Sequence, residues 1–532
     1  MKLSIFLSLA LLFSGRELAA QSWQSDMEDG TYKNPVLYAD YSDPDVCRAG
    51  DDFYMTASSF NCAPGLPILH SKDMINWKLI GYALERQVPE DFFSVPRHGM
   101  GVWAPAIRFH KGEFYIYYPD PDFGIYMTKA ADARGPWSDP VLVKEGRGWI
   151  DPCPLWDEDG RAYLVNAFAG SRAGIKSLLM VHEMNPDGTR LLGNGVMVFD
   201  GHGDHGTVEG PKFYKRNGYY YIFAPAGGVK PGWQLVLRSR NVFGPYEHKV
   251  VLHQGNTAVN GPHQGALIEL DSGESWFYHF QDRNAYGRIV HLQPVSWVDD
   301  WPIPGTDTNG DGIGEPVDRH KKPALGKTWP VQLIPAGDEF NGHRFGLQWQ
   351  WHANPQTGWG YMSGNLGFLR LNCVCQDESI RNLWEVPNLF LQKFPAPEFS
   401  AIVKLRFYPH QEGDRTGLLI MGEDYAWIGL EQKEGKLNMS MKTCLASNEG
   451  NPETTIKEES WETQDIYLRV EIDKDARCRF SYSKNGKKFI SVNEVFQAKA
   501  GRWIGAKVGL FATSSRKTND AGYVNADWFR VK

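Results

Sequence analysis

The sequence predicts an all-β protein, in which a five-bladed β-propeller is followed by an antiparallel β-sandwich of the jelly-roll type. The chain has 532 residues, too many for one ordinary core, so two domains are expected. Its 19 Trp, 23 Tyr, 55 Gly and 32 Pro favour many short aromatic strands joined by turns. A repeated hairpin in the first part of the chain and an alternating pattern in the last part complete the prediction.

The propeller is predicted from a unit that occurs five times. In each unit a turn with Gly or Asp leads into an aromatic strand, and a second strand follows after a variable loop. The turns and first strands read AGDDFYMTASS, HKGEFYIYYPD, DEDGRAYLVNA, KRNGYYYIFAP and LDSGESWFYHF. A repeat of about 55 residues built from short strands is typical of propeller blades. Five blades are therefore expected between Asn34 and Pro304, within a domain of residues 30–325.

The second domain is predicted over residues 333–532. Stretches such as FSAIVKLRFY, YAWIGLEQ and IYLRVEID alternate apolar and polar side chains, as strands with one buried face do. Many such strands without intervening helical patterns favour two packed antiparallel sheets.

Residues 1–20 have the features of a secretory signal peptide. Lys2 precedes an apolar run from Leu3 to Phe13, and the small residues Ala19 and Ala20 follow as a cleavage site. No later stretch reaches the ~18 apolar residues that a membrane span needs. We therefore expect an exported chain, periplasmic or extracellular, without a membrane span.

Charge and cysteine content exclude other classes. The net charge of −7 comes without a basic cluster, so no nucleic-acid partner is expected. Seven cysteines are an odd number, so at least one thiol is free or joined to another molecule. A disulfide framework is therefore not what holds this chain together.

The chemistry is predicted to lie just before each repeated hairpin, because residues at equivalent places in a radial repeat converge on its axis. Each unit has one aromatic anchor in its first strand: Tyr54, Tyr115, Tyr163, Tyr221 and Phe277. About a dozen residues before these anchors stand Asp43, Trp103, Asp151, Glu209 and His263. Three of these are carboxylates beside a Pro or a Gly-Pro. Hydrolysis of a sugar bond needs one acid and one base, and a third carboxylate keeps the acid protonated by repulsion.

Asp43 belongs to the acidic stretch ADYSDPDVCRAGDDFY, whose other acids are treated differently. Asp51 and Asp52 fall in the hairpin turn, where Asp is expected for local reasons. For Asp40 and Asp45 the role is left open, with hydrogen bonding within the loop as the default.

These segments resemble glycoside hydrolase family 43, a family of five-bladed propellers. The matching text includes YSDPDVCRAGDDFYMTASSF, GVWAPAIRFHKGEFYIYY, WIDPCPLWDEDGRAYLVN and VEGPKFYKRNGYYYIFAPAGG. The resemblance implies that Asp43 is the general base and Glu209 the general acid. It implies that Asp151 modulates the pKa of the acid and orients it. Members invert the anomeric centre, so a base–acid gap of ~6.5–9.5 Å is expected.

The resemblance also implies substrate-binding residues. Trp103 and Phe60 correspond to rings that wall the subsite of the terminal sugar, although Trp103 also suits core packing. Arg288 corresponds to an Arg that reaches a substrate hydroxyl, with a salt bridge as the alternative. His263 corresponds to a His near the channel centre that in some members faces a hydrated calcium ion; a hydrogen-bonded core His is the alternative.

The end segments of the second domain, GDEFNG and GYVNADWFRVK, resemble the terminal strands of a concanavalin A-like domain. Such domains often hold calcium with an acid, here Asp527 or Asp338, and ordinary strand-end acids are the alternative. No cofactor is required for the chemistry, so calcium would be structural.

The resulting expectation is an exported, inverting exo-glycosidase that releases terminal pentoses from plant cell-wall polysaccharides or oligosaccharides. The preferred activity is α-L-arabinofuranosidase, and the alternative with the same machinery is β-xylosidase. A propeller that only binds glycans is the alternative from another class, and loss of any of the three carboxylates would favour it.

Overall fold

The computed structural model describes residues 22–532, which are almost entirely β-structure as predicted. Helical segments of this part are a single turn each: α1 (Gly170–Ala173) and the 3-10 turns Phe92–Ser94, Asn284–Tyr286, Gly364–Leu366, Leu383–Glu385 and Ser447–Glu449. None of them is long and apolar enough to cross a membrane. The predicted signal peptide, residues 1–20, lies outside the described residues.

Five antiparallel sheets of four strands form the propeller, and in each sheet the strands follow chain order. A short strand, β1 (Thr31–Lys33), precedes them. The blades are β2 to β5 (Asp45–Ala49, Asp52–Thr56, Gly65–Ser71, Trp77–Leu84), β6 to β9 (Ala106–His110, Glu113–Asp120, Gly124–Ala130, Val141–Glu145), β10 to β13 (Trp149–Trp156, Ala162–Phe168, Leu178–Met184, Leu191–Asp200), β14 to β17 (Lys212–Arg216, Tyr219–Ala226, Trp233–Ser239, Glu247–Leu252) and β18 to β21 (Leu267–Glu269, Ser275–Asp282, Arg288–Val298, Trp301–Pro304). After the last blade, β22 (Arg319–Lys321) pairs with β1. The predicted number of blades is thus confirmed.

The repeated glycines are explained by the first hairpin of the blades. Between β14 and β15 the two turn residues Asn217 and Gly218 have φ of 50° and 73°, and between β6 and β7 Lys111 and Gly112 have 48° and 84°. A two-residue hairpin needs left-handed φ at both positions, which Gly and Asn adopt at low cost. The aromatic strand that follows is then placed second in its blade. Four of the five aromatic anchors, Tyr115, Tyr163, Tyr221 and Phe277, are buried there, and Tyr54 is half-buried.

The second domain is a sandwich of two sheets, as the alternation predicted. Its strands β23 to β37 are, in chain order, Gln350–Trp351, Gly360–Met362, Leu369–Asn372, Val374–Cys375, Phe390–Lys393, Phe399–Tyr408, Arg415–Met421, Tyr425–Lys433, Lys436–Cys444, Thr454–Ser460, Asp465–Ile472, Arg477–Ser483, Ile490–Gln497, Lys507–Ser514 and Tyr523–Val531. One sheet has the strand order β24-β25-β37-β28-β33-β34-β35, and the other has β23-β27-β36-β29-β30-β31-β32, with β26 added parallel to β36. Val403, Leu468 and Leu510 are among the buried side chains that fill the core between the sheets.

The sandwich is joined to the propeller by backbone hydrogen bonds. The N–H and C=O groups of Ala63 pair with those of Trp351, with N···O distances of 3.1 and 2.7 Å. The Ala506 N–H donates to the Ala285 carbonyl at 2.7 Å. The Ala506 bond holds the sandwich loop of residues 499–506 against the propeller, next to the site described below.

Candidate active site

The predicted site residues come together in one cavity of about 440 Å³. Its wall contains every propeller residue to which a catalytic or binding role is assigned above: Asp43, Phe60, Trp103, Asp151, Glu209, His263 and Arg288. The five positions predicted to converge from the five blades therefore do so. The three carboxylates stand in one pocket and not at separate turns.

Backbone conformation aims two of these carboxylates into the cavity. Asp43, just before β2, has φ of 53°, and Asp151, in β10, has φ of 55°. The register of β10 against β11 shifts between Ile150 and Cys153, so Asp151 occupies an irregular position of the strand. A left-handed conformation is uncommon for residues other than Gly but is tolerated by Asp, and it clusters at functional sites.

Asp43 is held from several sides. It is 5% exposed, and its Oδ2 accepts hydrogen bonds from the Ser42 and Ser58 hydroxyls at 2.8 and 2.6 Å. The Arg288 guanidinium donates to both of its carboxylate oxygens, at 2.9 and 3.1 Å, and to the Ser42 hydroxyl at 2.8 Å. The salt-bridge reading of Arg288 is thus present in the structure, while the same side chain also lines the cavity. Such a network of charge-assisted hydrogen bonds fixes the position of a carboxylate.

Asp151 and Glu209 line the same cavity as Asp43. Asp151 is 4% exposed and accepts the Gly210 N–H at 2.7 Å, whereas the Glu209 side chain is 32% exposed. Burial, and next the charge of Glu209, raise the pKa of the Asp151 carboxyl well above its usual range. Because neighbouring carboxylates repel each other, the charge of Glu209 adds to burial in favouring the protonated form of Asp151. The family resemblance assigns the role of proton donor to Glu209, whereas in this structure the more deeply buried Asp151 is the carboxyl that burial favours in the neutral form.

His263 lies beside Glu209. Its Nε2 is 3.5 Å from Glu209 Oε1, and the ring is 1% exposed. Both ring nitrogens are buried without a hydrogen-bond partner in the described part of the chain. Unpartnered buried polar atoms suit a water or a hydrated ion in the channel. The calcium ion expected near this position stays a prediction: within residues 22–532 no three His, Cys, Asp or Glu side chains are grouped so as to hold a metal ion, and Ca²⁺ prefers oxygen ligands to an imidazole nitrogen.

Aromatic rings form the side walls. The Phe60 and Trp103 rings are 6.4 Å apart, and the Trp103 Nε1–H donates to the Gly99 carbonyl at 3.0 Å. A third ring, Trp503, comes from the sandwich loop and lies 6.3 Å from Trp103 and 5.9 Å from the Arg288 guanidinium. Trp503 is 42% exposed and has φ of 65°. It therefore covers one side of the cavity.

Trp503 and a hairpin of the third blade were missed by the sequence reasoning. The only signal for Trp503 is a tryptophan between glycines in GRWIG, which says nothing about where that loop lies. The hairpin contributes Phe168, Lys176 and Ser177, and the Ser177 hydroxyl accepts the Thr207 N–H at 2.8 Å. This bond ties the hairpin to the segment that leads to Glu209.

The calcium site proposed for the sandwich is not favoured by its donors. The Asp527 carboxylate accepts from the Lys404 ammonium at 2.8 Å and is 47% exposed. The Asp338 carboxylate accepts the Phe340 N–H and the Trp349 indole N–H. Within residues 22–532 no three His, Cys, Asp or Glu side chains are grouped so as to hold a metal ion.

The profile of Glycosyl hydrolases family 43 matches residues 32–302, the propeller, and the profile of the Beta xylosidase C-terminal Concanavalin A-like domain matches residues 337–532. The chain belongs to glycosyl hydrolase family 43. It is therefore an O-glycoside hydrolase, and the family hydrolyses its substrates with inversion. The prediction of an enzyme is thus confirmed over the alternative of a propeller that only binds glycans.

Individual relatives cover nearly the whole chain. A Xylanibacter ruminicola protein, provisionally named a β-xylosidase, is 38% identical over 93% of this chain and 89% of its own length. The non-reducing end α-L-arabinofuranosidase BoGH43B of Bacteroides ovatus is 28% identical over 94% of each chain. A solved xylan β-1,4-xylosidase from Bacillus halodurans superposes with a TM-score of 0.83 at 25% identity, over 94% of this chain and 99% of its own. The protein is accordingly an exo-acting glycosidase of this family.

Proposed function

We propose that the protein is an exported β-xylosidase that removes single xylosyl units from the non-reducing end of xylo-oligosaccharides or xylan side chains. The observation that carries the proposal is the cavity itself, where three carboxylates and four aromatic rings line a space of about 440 Å³. The neighbouring rings of Phe60, Trp103 and Trp503 suit one terminal pentose ring, because flat apolar rings pack on the C–H face of a sugar.

The proposed mechanism divides the proton transfers between Asp43 and Glu209. Asp43, fixed by Arg288 and two serine hydroxyls, accepts a proton from a water molecule as that water attacks the anomeric carbon. Glu209 donates a proton to the oxygen of the leaving sugar as the glycosidic bond breaks. Asp151, next to Glu209, keeps a proton available to the pair by repulsion and accepts the Gly210 N–H, which positions the residue after the acid.

The proton initially favoured on Asp151 fits this scheme. A sugar in the cavity would cover the one-third of the Glu209 side chain that is exposed. Burial disfavours the charged form of a carboxylate, so the substrate itself would shift the proton towards Glu209. Glu209 would then carry the proton only when a substrate with a leaving group is bound.

The choice of sugar changes from the sequence-based preference for arabinofuranose. The relative with the higher identity carries a β-xylosidase name, and so does the solved structure with a TM-score of 0.83. A second candidate, α-L-arabinofuranosidase, is favoured by BoGH43B, which aligns over 94% of both chains. The two sugars present similar hydroxyl geometry, so the same carboxylates serve either one.

The test compares 4-nitrophenyl β-D-xylopyranoside with 4-nitrophenyl α-L-arabinofuranoside under identical conditions. The proposal expects kcat/KM to be higher for the xyloside and expects xylotetraose to shorten by one unit at a time. A higher kcat/KM for the arabinofuranoside would replace it with the second candidate. Release of internal fragments from xylan would contradict exo action. Proton NMR of the first product anomer serves as the check on inversion.

Export is part of the same proposal and needs its own measurement. Expression of the full chain, residues 1–532, is compared with a chain that starts at Gln21, followed by fractionation of the host cells. The proposal expects the full chain outside the cytoplasm with a mature N-terminus near residue 21, and the shortened chain inside. Retention of an intact N-terminus would contradict it.

A further inference from the structure

Asp40 is a buried carboxylate to which neither the mechanism nor the pocket wall assigns a role. It lies three residues before the base and is 3% exposed. One oxygen, Oδ1, accepts the backbone N–H of Arg288 at 2.9 Å. The other oxygen, Oδ2, accepts the backbone N–H of Gly505 at 2.9 Å. A single side chain thus joins the acidic stretch of the first blade, the last blade and the sandwich.

Both partners of Asp40 lead directly to the cavity. Arg288 carries the guanidinium that holds Asp43. Gly505 stands two residues after Trp503, the ring that covers one side of the pocket. Asp40 is therefore placed between the group that fixes the base and the loop that closes the site.

The surroundings of Asp40 leave little freedom. A Cβ on Gly287 would come within 2.4 Å of the Asp40 carboxylate, and a Cβ on Gly505 would come within 2.7 Å of the Gly287 nitrogen. These close approaches require glycine at both positions. The loop of residues 499–506 is held here by the Asp40 bond and by the Ala506 N–H bond to Ala285.

We propose that Asp40 is a positioning residue, which couples closure of the pocket by Trp503 to the placement of Arg288 and hence of the base. The carboxylate supplies one acceptor oxygen to each side, so the two placements depend on the same group. This inference rests on the glycosidase activity but not on the identity of the sugar.

The substitution Asp40→Asn tests the paired hydrogen bonds to Arg288 and Gly505 with almost no change in side-chain volume. The amide keeps one acceptor oxygen and turns an N–H₂ group towards the other backbone N–H, so one of the two bonds is lost. Displacements of about 1 Å near a reacting centre cost up to ~10²-fold in rate. We expect kcat/KM on the better aryl pentoside to fall by ~10- to 10²-fold, with an increased KM and a weaker Ki for the free pentose.

A double-mutant cycle with Trp503→Ala separates positioning from a loss of stability. If Asp40 acts through the loop, Asp40→Asn should cost clearly less in the Trp503→Ala background than in the wild type. A role in stability alone would lower the active fraction, leave KM and Ki unchanged and be additive with Trp503→Ala. Asp51→Asn, an exposed turn residue of the same acidic stretch, is the matched control and should behave as wild type.

Asp40→Ser is the second variant, for the case in which the amide prevents folding. Its short side chain leaves room for a water between the two N–H groups, so a folded protein with a loosened loop is expected. The inference is overturned if either folded variant keeps kcat/KM and Ki within twofold of wild type, or if its loss is additive with Trp503→Ala. A wild type inactive on both aryl pentosides would instead contradict the proposed function, so the two failures are distinguishable.

Discussion

The propeller and the sandwich contribute to the pocket in different ways. The propeller supplies the carboxylates proposed for the chemistry, since Asp43, Asp151 and Glu209 come from equivalent positions of three blades and share one cavity. The sandwich supplies one ring, Trp503, from a loop between two of its strands. A radial repeat determines where its members meet, whereas a loop reaches the site only through the contact between two domains. The predictions below test this division, from the largest expected effect to the smallest.

The largest effect is expected at the base. Asp43→Asn removes the proton acceptor while keeping the shape of the side chain, so kcat/KM should fall by ~10³- to 10⁴-fold. The loss should be the same for aryl glycosides and for xylo-oligosaccharides, because the base acts on water and not on the leaving group. Steady-state kinetics on both substrates checks this, with Asp51→Asn as the control. Activity above one-tenth of wild type would remove Asp43 from the mechanism.

The acid should differ from the base in its dependence on the leaving group. Glu209→Gln leaves the departing sugar without a proton, so xylo-oligosaccharide hydrolysis should drop by ~10³-fold or more. Nitrophenolate departs without protonation, and its release should drop by only about 10- to 10²-fold. The ratio of the two losses is the measurement. Equal losses on both substrates would argue against Glu209 as the acid.

Asp151→Asn should alter the pH profile. The pKa of Asp151 is raised, so the carboxyl pair retains its last proton to a higher pH than a lone carboxyl would. With Asn at this position no neighbouring charge appears as the pH rises, and the alkaline limb of kcat/KM should move to lower pH. At neutral pH the activity should fall by ~10²-fold. An unchanged alkaline limb, or one moved to higher pH, would contradict the coupling of the pair.

The contribution of the sandwich should be smaller. Trp503→Ala removes one wall of the pocket and no reacting group, so KM should rise by about tenfold while kcat stays within about threefold. Trp528→Ala, at a ring on the same domain that does not line the cavity, is the matched control. A fall in kcat comparable to that of Asp43→Asn would mean that the sandwich takes part in the chemistry.

The smallest effect is expected at Asp527. Its partly exposed ion pair with Lys404 should contribute under ~1 kcal/mol to the free energy of unfolding. Asp527→Asn should therefore leave the thermal midpoint nearly unchanged, and any shift on adding calcium or a chelator should be equal in both proteins. A calcium-dependent stabilisation that the substitution abolishes would restore the metal role assigned from the sequence.

The sequence by itself determined the repeated architecture and the residues at its axis. The five hairpins carry Gly or Asp where the turns need them, and the second strands carry the aromatic anchors. Asp43, Asp151 and Glu209 each stand about a dozen residues before the aromatic anchor of their blade, so the sequence alone predicts that they share one pocket. The alternation of the last part of the chain likewise determined the sandwich, because a half-buried strand has a period of two.

Only the tertiary structure decided what spans the two domains. Trp503 and the bond from Gly505 to Asp40 join residues hundreds of positions apart, and no local pattern marks them. The same holds for Arg288, because the sequence allows either a contact with a substrate hydroxyl or a salt bridge. The structure shows the salt bridge to Asp43. The protonation of Asp151 also needs the tertiary structure, because its raised pKa depends first on burial, which the sequence does not show. Packing between distant segments therefore determines the raised pKa of Asp151 and the cover that Trp503 forms over the pocket. The three carboxylates, by contrast, could be predicted from the sequence.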